Sequence, residues 1–318
     1  MIDFRYHIVS IVSIFLALAV GIVLGAGPLK EDIGNKLTDQ LTQLRQEKTD
    51  LRTQLDAQRK GLDGRDSFIS TVTPGLVAGR LAGKVVTVVV GPGADGALVK
   101  ATTANLTAAG AKVGATVTLT DAWVDPAKRT FRNNLATQLA ALVKAPGVVS
   151  SPDMMPGEIL ARAILGRQDR PTDRLDPASS QALDGLKTGD LLSYAPDQIT
   201  AGSSAVLVTG QLQGTNDQDT QARVAAEVLL ARALDASGSG ALVVGPSDKS
   251  GGDASSPVVA AVRADSDASK VVSTVDDADL PLGAAPLVEA LVQQYAGGVG
   301  QYGLAADAKA VGPEAVAK

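Results

Sequence analysis

Hydrophobic and polar positions follow three successive patterns along this chain, and each pattern predicts a different element. From Ile8 to Ala26 about nineteen residues carry no charge, and only Ser10 and Ser13 are polar. At ~1.5 Å per residue such a helix spans roughly 28 Å, close to the hydrocarbon thickness of a bilayer. A soluble core helix of that length would carry a polar face, so the run is read as a transmembrane anchor. Ser13, Ala17, Gly21 and Gly25 recur at every fourth position and form a helix-packing stripe of small side chains. Gly27 and Pro28 are expected to mark the membrane exit.

The second pattern is a heptad. Leu37, Leu41, Leu44, Leu51, Leu55 and Leu62 alternate three- and four-residue spacings, with Lys48 and Gln58 at the two remaining core positions. An a/d seam kept over about four heptads predicts a coiled coil, and the pattern points to a homodimer. A single helix packed on the following domain is the alternative, but such a helix usually shows a wider apolar stripe. Lys48 in the seam costs stability while favouring one register and a low oligomer number.

Gly61, Gly64, Pro74, Gly75 and Gly79 then predict a connector, after which strands and helices alternate. Val85–Val90 is a continuous β-branched run, as a doubly covered strand requires. Further strands are predicted at 113–119, 205–209, 241–244 and 271–275. Helices are predicted at 95–109, 127–143, 218–234, 257–263 and 286–295. The helix over 127–143 starts at Asp125-Pro126 and carries Phe131, Leu135, Leu139 and Leu142 at helical spacing. Residues 150–200 read as short helices and loops. The fold class is therefore α/β: an N-terminal transmembrane helix and coiled coil, followed by a largely parallel-sheet α/β domain. The expected boundaries are 1–28 for the anchor, 29–64 for the stalk, 65–82 for the connector, 83–304 for the globular domain and 305–318 for a disordered tail. A strand followed by Gly-Pro occurs twice, at Val89–Pro92 and Val243–Pro246, a weak internal repeat.

Composition narrows the chemistry. The 318 residues include no cysteine and one histidine, His7 at the membrane edge. Thiolate sites, cysteine nucleophiles, Ser-His-Asp triads and histidine metal clusters are thereby removed from the soluble part. A net charge of −5 without a basic patch argues against nucleic acid as a partner. Aromatics at 3% are too few for the two girdles of an outer-membrane barrel. Beyond the anchor Lys30, Lys36 and Arg45 are mixed with Glu31, Asp32 and Asp39, so loop charge leaves the orientation open; Asp3 and the missing A-x-A site favour an uncleaved anchor with the bulk of the chain outside.

Gly91, Gly93 and Gly96 form G-x-G-x-x-G between a strand and a helix, the setting of a pyrophosphate cradle, and Asp121 lies where a ribose-binding carboxylate would. Pro92 removes an amide and Asp95 adds a negative charge there, so a structural strand-to-helix turn is the competing reading. The polar loops 210–217 and 247–252 also follow strands and could border a cleft. No carboxylate pair or nucleophile–base pair can be singled out, and no catalytic residue, metal site or cofactor is assigned. Copper(I) prefers thiolates, thioethers or imidazoles, and apart from Met1 the chain offers only Met154, Met155 and His7. The adjacent methionines cannot both turn to one ion on a helix.

The opening from Met1-Ile2-Asp3-Phe4-Arg5-Tyr6-His7 through Gly25 resembles that of the actinobacterial MctB/SteB family, as do Ser273-Thr274-Val275-Asp276 and Gln301-Tyr302-Gly303. The resemblance covers the whole architecture and brings no catalytic residues. It implies one of two roles. The first, favoured by a lone apolar helix and a long stalk, is an envelope scaffold that works with a partner membrane protein and a cell-wall hydrolase system in cell separation. The second is copper transport or copper homeostasis. A nucleotide-binding enzyme using the Gly91–Gly96 loop is a third reading. Membrane lipid is a partner in the first two.

Overall fold

The computed structural model describes residues 4–143, 151–166, 175–195, 199–248 and 255–314, and the side chains among them except those of 26–35. Met1 to Asp3, the loop positions 249–252, the last four residues and the side chains of Lys30, Glu31 and Asp32 thus lie outside the described residues. Two compact units are distinguished, Met1–Arg65 and Asp66–Lys318.

Helix α1 runs from Phe4 to Val77. It passes through Pro28, Gly61, Gly64 and Pro74, where a membrane exit and a connector were expected. Each glycine costs about 1 kcal/mol in a helix, too little to end one that is already nucleated on both sides. The last turns are held by packing in the second unit, where Thr73 and Val77 are buried. With the helix continuous, Ile69, Val72 and Leu76 extend the heptad spacing beyond Leu62.

The second unit is built on a seven-stranded sheet in the order β3-β2-β1-β4-β5-β6-β7. Its strands are β1 (Val85–Val90), β2 (Lys112–Leu119), β3 (Leu192–Tyr194), β4 (Ser204–Val208), β5 (Ala241–Val244), β6 (Val272–Val275) and β7 (Gln301–Tyr302). All neighbours pair in parallel except β3, which is antiparallel to β2. Side chains alternate between two cores. Val89, Val117, Leu207 and Val243 enter one; Val88, Val206, Leu242 and Val244 enter the other. Burial on both faces explains why the strands read as continuous apolar runs.

The larger core is covered by α3 (Asp121–Val124), α4 (Arg129–Ala140), α5 (Met155–Ile164), α6 (Pro177–Thr188), α7 (Asp217–Ser237) and α8 (Pro257–Ala264). The smaller is covered by α2 (Gly96–Ala108) and α9 (Ala284–Tyr295), with Val77 and Leu81 beside them. Asp95, Asp176 and Asn216 cap α2, α6 and α7 by accepting hydrogen bonds from amides in the first turn.

Three expectations change. The buried face of α4 is Arg132, Ala136 and Leu139, while Phe131 is 48% exposed, so apolar spacing alone misplaced it. β3 and β7 were not expected, because two or three residues show no period. The segment after Ala305 is tied down as far as Ala310: Lys309 N donates to Gln301 O at 2.8 Å, and Gly303 N donates to Ala310 O at 3.0 Å.

Candidate functional site

In a sheet of this order the strand order reverses between β1 and β4, and ligand crevices usually open there, beyond the carboxyl ends of the strands. Gly91, Gly93 and Gly96 do gather at this point, in the turn from β1 into α2. Gly91 N donates to Val208 O at 2.8 Å, joining the turn to the end of β4. The Asp95 carboxylate accepts from Ala97 N at 2.8 Å and so occupies the helix N-terminus that a phosphate would need. Gly93 has φ +73°, and a Cβ on Gly210 would lie 2.1 Å from the Gly93 carbonyl. The two loops therefore touch backbone to backbone where a crevice would open. Asp121 faces Arg223 of α7 at 3.6 Å instead of this turn. The geometry is that of a closed strand-to-helix joint.

This closure sets a test. Gly210→Ala pushes a methyl group into backbone atoms that cannot rotate away, and is expected to cost about 2–4 kcal/mol. Gly96→Ala meets nothing within 4 Å and is expected to be neutral or slightly stabilising. Urea denaturation of the full chain compares the two; equal midpoints would show that the loops are not in contact.

The described parts of the other strand-end loops are held by their own polar groups. Thr215 N donates to the Asp219 carboxylate at 2.7 Å, and Gly214 N donates to Thr220 Oγ1 at 2.9 Å, folding 210–217 onto the start of α7. Ser247 donates through N and Oγ to Asp279 at 2.7 and 3.0 Å.

Beneath the joint lies a group that sequence reading missed. Glu227 of α7 is fully buried, with its carboxyl against Gly91, and among the described residues neither oxygen has a hydrogen-bond partner. Burial raises its pKa to about 8, so the side chain is largely neutral at pH 7. Asp277, after β6, is also buried with both oxygens unpartnered, and burial together with Asp276 raises it to about 6. Next to it, Arg263 pairs with Asp276 at 2.8 Å and with Asp307 at 2.7 Å. A helix-periodic sequence gives no sign of Glu227, since a glutamate on a long helix reads as solvated.

In the first unit, Phe4–Gly25 is long and apolar enough to cross a membrane, and it is the one such helix among the described residues. The chain is a single-pass membrane protein on this evidence of length and composition. Ser13 Oγ donates to Val9 O at 2.8 Å, so the hydroxyl is satisfied within the helix, and a Cβ on Gly21 or Gly25 would meet nothing. The seam leucines from Leu37 to Leu62 are all about half exposed or more.

Copper donors are sparse. Met154 is buried, Thr137 Oγ1 donates to Met155 Sδ at 3.4 Å, and His7 is exposed on α1. Among the described residues no three His, Cys, Asp or Glu side chains cluster as a metal site.

Comparison with known proteins supplies what these groups leave open. The model of one family, described as copper transport outer membrane protein MctB, matches residues 1–313. A Mycobacterium tuberculosis H37Rv protein named copper transporter MctB is 32% identical over 323 residues, covering 95% of this chain and 96% of its own length. A Mycobacterium bovis protein of the same name matches to the same extent. The Mycobacterium leprae protein of that name is 28% identical over 322 residues, covering 96% of each chain. These matches overturn the expectation of a cell-separation scaffold. Family and relatives alike carry a copper-transport name, which the shape of stalk and anchor could not reveal.

Proposed function

We propose, on the premise that this chain belongs to the MctB family, that it works in copper transport at the cell envelope from a single membrane-spanning helix. The observation that carries this reading is likeness over nearly the whole length to proteins named copper transporter. The match includes anchor, stalk and head alike, so it is not a shared fragment.

One helix encloses no path for an ion, because its backbone hydrogen bonds are all internal and it has no lumen. Transport through this protein therefore requires several copies, and the exposed seam from Leu37 to Leu62 supports self-association as at least a dimer. The stripe Ser13, Ala17, Gly21 and Gly25 would let the membrane helices approach closely. His7 and Gly25 are separated by about five full helical turns, so the imidazole sits on the same face as the stripe. Assembly along that face would bring the His7 rings of separate copies together at the membrane edge, where imidazole suits copper. Copper is cargo in this reading: among the described residues of the head no cluster of His, Cys, Asp or Glu offers it a resident site, and we take the head to lie on the outer side of the membrane.

The test is copper accumulation in cells lacking the chain, measured by metal analysis after copper loading. Cells without it are expected to retain more copper, and the wild-type chain to restore the level. His7→Ala is expected to restore it poorly. Leu51→Glu with Leu55→Glu is expected to fail and to sediment as a monomer in detergent. Unchanged copper in the deleted strain would refute the reading.

A further inference from the structure

Away from the closed switch point, one open concavity of about 560 Å³ lies between α3, α4, α5 and the outer face of α7. That volume is in the range of small-molecule sites. Its walls are mixed: Trp123 and Val124 from α3, Pro156 from α5 and the alanines and leucines of α7 supply apolar surface, and Arg132, Asp153 and Asp219 are among the polar groups that share it. Trp123 is 2% exposed and Ala222 is exposed, so the cleft runs from a buried indole to an open rim.

A cation is built into this wall. Arg132 of α4 is 6% exposed, yet among the described residues no carboxylate lies within ion-pair distance of it. Its Nη1 donates weakly to Ala122 O at 3.3 Å and Asp125 O at 3.5 Å. Nε and Nη2 carry no hydrogen bond to any described residue. The adjacent Asp153 is engaged elsewhere: Arg129 donates to it through Nε at 2.7 Å and Nη2 at 2.5 Å, and Asn133 Nδ2 donates at 2.8 Å. Desolvation of Arg132 works against its charge and pulls its pKa below the ordinary guanidinium value. Neither nitrogen is fully sealed from solvent, so the guanidinium can be reached from the cleft it lines, where a carboxylate can pair with it.

We propose that this cleft binds a small carboxylate with an apolar body, the carboxylate held by the free edge of Arg132 and the hydrocarbon laid against Trp123 and the alanine face of α7. A planar fork of N–H donors matches a carboxylate in shape and in charge. A phosphate dianion fits less well, because Asp153 and Asp219 line the same cleft and only one unpaired cation faces them. None of these residues belongs to the anchor, the seam or His7, so the site is independent of the copper reading.

The chain contains one tryptophan, so its fluorescence reports on the cleft directly. The full chain in detergent micelles is titrated with 3-phenylpropionate, with its neutral analogue 3-phenylpropan-1-ol and with inorganic phosphate. A saturable change in Trp123 emission is expected with the carboxylate, and affinity weaker by about tenfold or more with the alcohol. Arg132→Gln is expected to lose about tenfold or more in affinity with its circular dichroism unchanged. Ala222→Phe fills the rim without touching a charge, and is expected to block binding even if the arginine variant fails to fold. Three results would each overturn the site: no saturable change with 3-phenylpropionate in the wild type, equal affinity for the alcohol or preference for phosphate, or wild-type affinity in Ala222→Phe.

Discussion

Replacing Arg263 with alanine is expected to destabilise the second unit by about 3–5 kcal/mol, the cost of leaving a buried carboxylate without its partner. The side chains of Arg263 and Asp276 are each 4% exposed and meet at 2.8 Å. The same guanidinium donates through Nε to Thr274 Oγ1 at 2.9 Å and through Nη2 to Tyr302 O at 2.7 Å, and Nη1 reaches Asp307 at 2.7 Å. It thus joins α8, β6, β7 and the segment after Ala305. Asp276 in turn accepts from Leu304 N at 2.9 Å, so alanine at 263 leaves the charge held but uncompensated. Adding Asp276→Asn to Arg263→Ala is expected to recover part of the loss. Arg263→Lys is expected to fall between, since an ammonium cannot span four acceptors in one plane. Urea denaturation of the full chain followed by Trp123 emission measures all three. Equal midpoints for wild type and Arg263→Ala would show that the cluster carries no stability.

Stability is also expected to fall as pH rises from about 4.5 to 8, because of Glu227. Its carboxyl ordinarily titrates at 4.5 and is raised to about 8 by burial. The folded chain therefore binds this proton more tightly than the unfolded chain does. The resulting stabilisation is complete below 4.5 and is lost as pH climbs through 8. A shift of that size corresponds to a total on the order of 4–5 kcal/mol. Asp235 and Asp277, both raised to about 6, add losses of the same sign at lower pH. The interval from 6 to 8 accordingly isolates Glu227. Glu227→Gln keeps the shape without the titration and is expected to flatten that interval. An unaltered slope in the variant would place the effect elsewhere.

The sheet was legible because its strands are covered on both faces. Val85–Val90 and Ala241–Val244 need no alternation and show none, and the sequence limits match the observed strands. The anchor was legible for a similar reason, since a bilayer leaves no polar face on the helix that crosses it. What escaped depended on tertiary partners. β7 is two residues long and is held by side chains as much as by backbone, with Thr274 Oγ1 donating to Gln301 Oε1 at 2.6 Å. The continuity of α1 escaped because glycine and proline were read as local breakers, whereas Thr73 and Val77 hold the final turns by burial. The cleft escaped because its lining comes from three separated segments. Its one informative residue, Arg132, sits beside Phe131, which is exposed although it shares the apolar spacing of the buried Leu139.

The glycine motif shows the opposite failure. The three glycines are placed as a nucleotide loop would place them, but Gly210 and Glu227, more than a hundred residues later, fill the space on either side. Spacing described the turn and could not describe what packs against it. Function was legible only through resemblance. Stalk and anchor suit several envelope roles, and the copper name of the relatives decided against the scaffold.

Copper flux through liposomes that contain only this chain tests the central claim most directly. Purified full-length protein is reconstituted, and copper(I) entry is followed with an enclosed copper indicator. The account expects saturable entry with the wild-type chain and none with Leu51→Glu and Leu55→Glu, inserted in equal amounts. Liposomes that stay closed to copper while holding assembled wild-type protein would contradict it.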